Sequence, residues 1–134
     1  MSAFPLPHDD VENRGILIIC PDGHRMLYIT DFAYSPYSFQ KQKVQTILIE
    51  CNHMDEMEKG DNEGKFEHVL RGHSSLSVVK DFLKINKTEA LKTVILCHLS
   101  TTNADAEEMV RQVQEVVGDK VKVYVAKKGT VIEL

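Results

Sequence analysis

Short apolar runs recur along the chain, and several of them end directly on a polar, chemically capable side chain. Residues 94–97 are continuously apolar, as is typical of a strand buried on both faces, and His98 follows them. The run over 46–49 leads in the same way into Glu50. Because α/β folds keep their chemistry where strands end, both positions are candidates for a functional site.

The first part of the chain has the pattern of antiparallel strands. Residues 15–20 and 25–30 are two β runs, and the Asp22-Gly23 step between them predicts a hairpin turn. The segment 2–7 contains two prolines, which a central strand does not tolerate, so it is predicted to be an extended edge segment.

Two later segments carry apolar residues at helical spacing. Ser74 is predicted to be the N-cap of a helix that runs to about Ile85. Asn103 or Asp105 caps a second helix, which Gly118 ends. The buried face of that second helix is predicted to carry Met109, Val110, Val113, Val116 and Val117.

The end of the chain returns to the β pattern. Residues 120–125 alternate as a half-exposed strand, and 130–133 read as a last short strand. A hairpin followed by β-α-β-α-β predicts an α/β fold with one mixed sheet and its helices on one face. At 134 residues, 43% of them hydrophobic, the chain is expected to form a single domain over 1–134.

Composition and cysteine use narrow the class of protein. The net charge of −4 provides no global basic field for gripping nucleic acid. Cys20, Cys51 and Cys97 show no C-x-x-C spacing, which favours buried reduced thiols over disulfides or a zinc knuckle. No apolar run approaches the roughly 18 residues of a membrane span, and no signal peptide is visible, so a cytoplasmic protein without membrane contact is expected.

Three strand-end residues share a chemistry. His8, Asp31 and His98 each lie just past a β run, and two imidazoles with a carboxylate are ligands that zinc accepts. The spacing alone leaves an ordinary alternative, in which such residues only hydrogen-bond to neighbouring backbone. His24 and His68 have no supporting motif and are predicted to be solvated.

Five motifs occur in an order that resembles a known family. They are Ala3-Phe4-Pro5-Leu6-Pro7-His8-Asp9, Ile29-Thr30-Asp31-Phe32, Ile49-Glu50-Cys51-Asn52-His53, Arg71-Gly72-His73-Ser74 and Ile95-Leu96-Cys97-His98-Leu99-Ser100. Together they resemble the later half of the metallo-β-lactamase-fold phosphodiesterases and nucleases, which include ribonuclease Z, ribonuclease J and small bacterial exonuclease-like relatives. The likeness spans nearly the whole chain.

The resemblance implies roles for individual residues. His8 and His98 would each be a ligand of one of two zinc ions, and Asp31 would bridge them; manganese is a possible replacement. Glu50 and His73 would form the acid–base pair that assists departure of the leaving oxygen in phosphodiester hydrolysis. His53 would have a supporting or structural role. The substrate class implied is nucleic acid or a nucleotide.

One departure from the family pattern limits these expectations. The His-x-His-x-Asp-His motif, which supplies most metal ligands of the family, does not occur in this sequence. The complete fold packs two sheets face to face, so we expect this half to pair with a separate N-terminal half or with itself as a homodimer. The alternatives are a non-catalytic half-fold that acts as a dimerising interaction module, and an unrelated α/β domain that binds a small anionic ligand.

Overall fold

Six strands and two helices make up the part of the chain that the structure describes. A computed structural model describes residues 1–6, 8, 12–55, 72–101 and 104–134. The elements are β1 (Ser2–Leu6), β2 (Asn13–Ile19), β3 (Arg25–Ile29), β4 (Thr46–Glu50), α1 (Leu76–Asn86), β5 (Thr93–Cys97), α2 (Ala106–Val117) and β6 (Lys122–Val125), with a short 3-10 turn over Gln40–Gln42.

The strands form one mixed sheet in simple chain order, β1-β2-β3-β4-β5-β6. The pairs β1–β2 and β2–β3 are antiparallel, whereas β3–β4, β4–β5 and β5–β6 are parallel. The predicted α/β class, the hairpin and the β-α-β-α-β order are confirmed. Because β3, β4 and β5 run in the same direction, their carboxyl ends lie at one edge of the sheet.

Both helices cover the same side of the sheet. The alternate residues Leu27, Ile29, Ile47, Ile49, Val94 and Leu96 are buried in one apolar cluster with residues of α1 and α2. The helices also contact each other, where Lys80 Nζ donates a hydrogen bond to Gln112 Oε1 at 2.9 Å. This single layer of helices supplies the core, and the prediction of helices on one face is confirmed.

The helix caps correct one prediction and decide another. Ser75, not Ser74, caps α1, because its hydroxyl accepts a hydrogen bond from the Val78 amide. Ser74 instead donates hydrogen bonds to Glu50 through its amide and its hydroxyl. Asp105 caps α2, and Gly118 ends that helix with φ at +87°.

Several other expectations need correction. The predicted strand over 130–133 pairs with no strand of the described chain, and Val131 is 89% exposed, because alternation without a hydrogen-bonded neighbour does not make a strand. His24 is half-buried, and its Nε2 lies 2.9 Å from Thr46 Oγ1. All three cysteines are free, but only Cys51 is fully buried.

A few predictions fall outside the described residues. His68 and the alternative helix cap Asn103 are among them. Within the described ranges, no helix has the length and apolar character that a membrane crossing requires.

The second side of the sheet is apolar and has no described layer over it. By strand alternation and register, this open face carries seven side chains that are absent from the core cluster: Ile16, Ile18, Met26, Tyr28, Leu48, Ile95 and Tyr124. Tyr28 is 37% exposed, whereas Ile95, beside Leu48 in the sheet, is only 6% exposed. None of the seven carries a formal charge.

The edge strand β1 depends on a close contact at Gly15. A Cβ placed on Gly15 would lie 2.3 Å from Cζ of the Phe4 ring, which packs over this glycine from the paired strand. We expect Gly15→Ala to destabilise the fold by about 1–3 kcal/mol, because the ring must move out of its packed position. Chemical denaturation measures this, and the Phe4→Leu background should restore most of the loss; an unchanged midpoint for Gly15→Ala would contradict the contact.

Candidate metal centre

The ends of three parallel strands bring the candidate residues together. Glu50 is the last residue of β4, Asp31 follows β3 by two residues, and His98 directly follows β5. The register pairs Ile29 with Ile49 and Glu50 with Cys97, so the three side chains leave the sheet at the same level. Sequence reasoning placed these residues at strand ends, and the structure places them at one edge.

Glu50 is the centre of this edge. Its side chain is fully buried, and its carboxylate accepts hydrogen bonds from two backbone amides, Asp31 N–H at 3.1 Å and Ser74 N–H at 2.9 Å. His73 Nδ1 lies 3.2 Å from both carboxylate oxygens, and His98 Nδ1 is also hydrogen-bonded to Oε2. Four donors therefore converge on one buried acceptor group.

The two imidazoles also face the second carboxylate. His98 Nδ1 lies 3.0 Å from Asp31 Oδ1, and His73 Nδ1 lies 3.7 Å from the same oxygen. The side chains of Asp31 and His98 are 41% and 47% exposed, whereas the His73 side chain is only 14% exposed. The cluster is thus closed on the Glu50 side and open to solvent on the side of Asp31 and His98.

His8 lies beside this cluster without joining its inner group. Its ring packs edge-on against His73 with centroids 5.4 Å apart, and His73 packs in the same way against His98 at 5.1 Å. His8 Nδ1 is 2.5 Å from the Gly72 carbonyl oxygen, which the imidazole N–H can reach as a donor. The predicted metal ligand His8 therefore reaches the same edge as Asp31 and His98, one histidine away from them.

The donor set suits a divalent metal ion. One ligand atom each from Asp31, Glu50, His73 and His98 lies within 4.8 Å of all the others. Carboxylate oxygens and imidazole nitrogens together are ligands that borderline divalent ions accept. The sequence divided these four residues between metal binding and acid–base work, whereas the structure joins them in one group.

The hydrogen bonds assign the imidazole protons. An ionised carboxylate only accepts, so an imidazole bonded to it through Nδ1 presents an N–H there, and the neutral form of that ring carries its lone pair on Nε2. Histidines that bind metals commonly donate their other ring N–H to a carboxylate in this manner. The arrangement at His98 has this form.

Burial shapes the electrostatics around the cluster. Burial raises the pKa of the Cys51 thiol to about 12, with a further contribution from nearby carboxylates that include Glu50. Burial also lowers the pKa of His53, although the neighbouring Asp55 carboxylate opposes that shift. His53 is almost fully buried, and its carbonyl accepts the Leu76 amide at 2.9 Å, which fits a structural role.

Three residues for which the sequence predicted no role in the site build its walls. Ser74 donates its hydroxyl to the Glu50 carbonyl at 2.6 Å, in addition to the backbone bond described above. Asn52 Nδ2 donates to the His98 carbonyl, and Asn13 Nδ2 donates to the Asp31 carbonyl. Asn52 and Ser74 stood next to predicted site residues, but nothing in the sequence indicated which backbone groups they would bind.

Comparison of the chain with protein-family models, with curated proteins and with solved structures found no match. The resemblance to metallo-β-lactamase-fold hydrolases accordingly remains a prediction.

Replacing the buried Glu50 carboxylate tests how much it contributes to the free energy of unfolding. We expect Glu50→Gln to lower the free energy of unfolding by about 2 kcal/mol or more, because the amide NH2 must face N–H donors that then lack an acceptor. Asp31→Asn is the matched control; its half-exposed carboxylate predicts a change below about 1 kcal/mol. Denaturant titration of both variants measures the difference, and equal losses would contradict the central place of Glu50.

Proposed function

We propose that this chain is the C-terminal part of a zinc-dependent metallo-β-lactamase-fold hydrolase that acts on phosphodiester bonds of nucleic acid or a nucleotide. The observation that carries the proposal is the group Asp31, Glu50, His73 and His98, with ligand atoms within 4.8 Å of one another. Two imidazoles turned toward the same two carboxylates combine the nitrogen and oxygen donors that a divalent ion accepts. The order of the five motifs along the chain supports the choice of family.

Each residue has a chemical task under this proposal. A divalent ion, when bound, supplies a polarised water and charge neutralisation for attack on phosphorus. Asp31 and His98, the exposed side of the cluster, hold the ion together with His8. Glu50 holds His73 through Nδ1 at 3.2 Å, and as an imidazolium His73 can deliver its Nε2 proton to the departing oxygen of the phosphodiester. Zinc is preferred because half of the donors are imidazole nitrogens; manganese suits the carboxylates.

The ligands on this chain would surround the metal from one side only. We propose that a polypeptide segment carrying the His-x-His-x-Asp-His motif supplies the rest. Glu50 follows Leu48 in β4, so it lies on the side of the open face by strand alternation. A second sheet packed on that face would therefore bring its own strand ends next to the cluster. The free cysteines support a cytoplasmic location, where thiols stay reduced.

A specific observation favours a second candidate function, that of a dimerising interaction module without catalysis. The open face carries seven uncharged, largely apolar side chains, and burying such a surface stabilises by about 25 cal/mol per Å². We propose a second copy of this chain as its occupant when the chain is alone. By the same register Arg14 and Lys122 also lie on this side, on β2 and on the outer strand β6, so a two-fold symmetric contact would be made by the apolar residues between them.

Zinc binding tests the first proposal. We expect the purified chain to bind zinc in calorimetric titration, and Asp31→Ala and His98→Ala to weaken that binding at least about tenfold, because each removes a ligand. His24→Ala is the control, since His24 directly precedes β3 and so lies at the other end of this strand from the candidate site. Zinc affinity that is the same in all four proteins would contradict the metal site.

The wild-type chain and a His73→Ala variant test the hydrolase activity. Mixed with the motif-bearing polypeptide and zinc, the chain should hydrolyse a chromogenic phosphodiester, and His73→Ala should lower kcat by about 10²–10⁴-fold. Turnover of that substrate without any dependence on His73 or on zinc would overturn the assignment. Hydrolysis of a β-lactam by the mixture is not expected.

Light scattering tests the second candidate. We expect the chain alone to be a dimer at micromolar concentration, and Leu48→Lys to make it monomeric, because the new charge lies at the centre of the open face. Ile85→Lys is the control, since Ile85 is an exposed apolar residue on α1, away from that face. A well-folded monomeric wild type at micromolar concentration would contradict this contact.

A further inference from the structure

Two of the four candidate ligands have a backbone conformation that few non-glycine residues adopt, and Asp and His are among the types that adopt it most. Asp31 has φ at +52° and His98 has φ at +54°, both in the left-handed region. Among the described residues, the other non-glycine residue with positive φ is Lys43, which ends the 3-10 turn. Asp31 and His98 end no helix, so their conformation has to be stabilised by other hydrogen bonds.

Each left-handed residue has its carbonyl held by an asparagine side chain. Asn13 Nδ2 donates to the Asp31 carbonyl at 2.6 Å and to the Thr30 carbonyl at 2.7 Å. Asn52 Nδ2 donates to the His98 carbonyl at 2.9 Å. These carbonyls lie just past the ends of β3 and β5, where a side-chain donor takes the place of a sheet donor.

The two asparagines are themselves fixed by backbone bonds. Asn52 donates its amide N–H to the Ser74 carbonyl at 3.0 Å, and its carbonyl accepts the Ser100 amide at 2.7 Å. Asn13 is the first residue of β2 and pairs with Leu6 of β1. Both side chains therefore project from rigid positions toward the loop that they hold.

We propose that Asn13 and Asn52 are positioning residues that hold Asp31 and His98 in the left-handed conformation required for metal binding. The inference rests on the proposed metal site and adds which residues fix the backbone of two of its ligands. Removing either amide donor frees the carbonyl, and the residue can turn to an ordinary φ. That turn changes the direction of the ligand side chain relative to Glu50 and His73.

A merely structural role makes a different prediction. Asn86 is a buried asparagine away from the site, which donates to the Phe82 carbonyl at 2.9 Å and accepts the Phe39 amide at 2.5 Å. It lies at the end of α1, at the opposite end of that helix from His73 and Ser74. Asn86→Ala thus reports the loss of stability that follows when an asparagine which only supports the fold is truncated.

The experiment compares zinc affinity and imidazole spectra in Asn13→Ala, Asn52→Ala and Asn86→Ala. Calorimetry at a temperature where all are folded should show binding weakened about tenfold or more in the first two, and unchanged in Asn86→Ala. Absorption of bound cobalt(II) should also change in the first two. Zinc affinity within twofold of wild type in both Asn13→Ala and Asn52→Ala would overturn the proposal.

A measurement without metal separates this inference from the metal site. Long-range ¹H–¹⁵N spectra of the imidazoles should show displaced His98 resonances in Asn52→Ala and unchanged His24 resonances. If wild type fails to bind zinc while the His98 resonances move, the metal site fails, and what remains is that Asn52 fixes the conformation of His98. Unmoved His98 resonances overturn the positioning role. If Asn52→Ala does not fold, Asn13→Ala and the carbonyl ¹³C resonance of Asp31 decide in the same way.

Discussion

The buried carboxylate of Glu50 is the interaction on which this edge of the molecule depends. It takes hydrogen bonds from the amides of Asp31 and Ser74, which lie on the loops after β3 and before α1. It also fixes both inner imidazoles. A buried charge is tolerated only when donors surround it, so the loops must close around Glu50 for the chain to fold. The same closure assembles the candidate site, which links folding at this edge to function.

Strand positions followed from the sequence because their signals are local. The apolar runs ending at Glu50 and His98, the Asp22-Gly23 turn and the Gly118 helix end each depend on neighbouring residues, and each appears in the structure. The strand over 130–133 did not form, because a strand depends on a distant neighbour that local alternation cannot report.

The site was predictable at the level of residues and not of contacts. Parallel strands with a common direction bring Asp31, Glu50 and His98 to one edge, so their proximity could be inferred from the strand order. The contacts were not predictable, because they join residues far apart in the sequence. Ser74 binds Glu50, 24 residues away, instead of capping α1, and Asn13 binds the carbonyl of Asp31, 18 residues away. No propensity or spacing rule contains such information.

The two outer strands decide from which direction a partner can approach. Pro5 in β1 has no N–H to offer along its free edge, and the lysines Lys120 and Lys122 flank or occupy β6 as exposed charges at the other edge. Prolines and lysines at such positions discourage another chain from extending the sheet sideways. Lateral growth into a continuous ribbon is disfavoured at both margins, so a chain that associated with this one would have to meet the broad surface of the sheet.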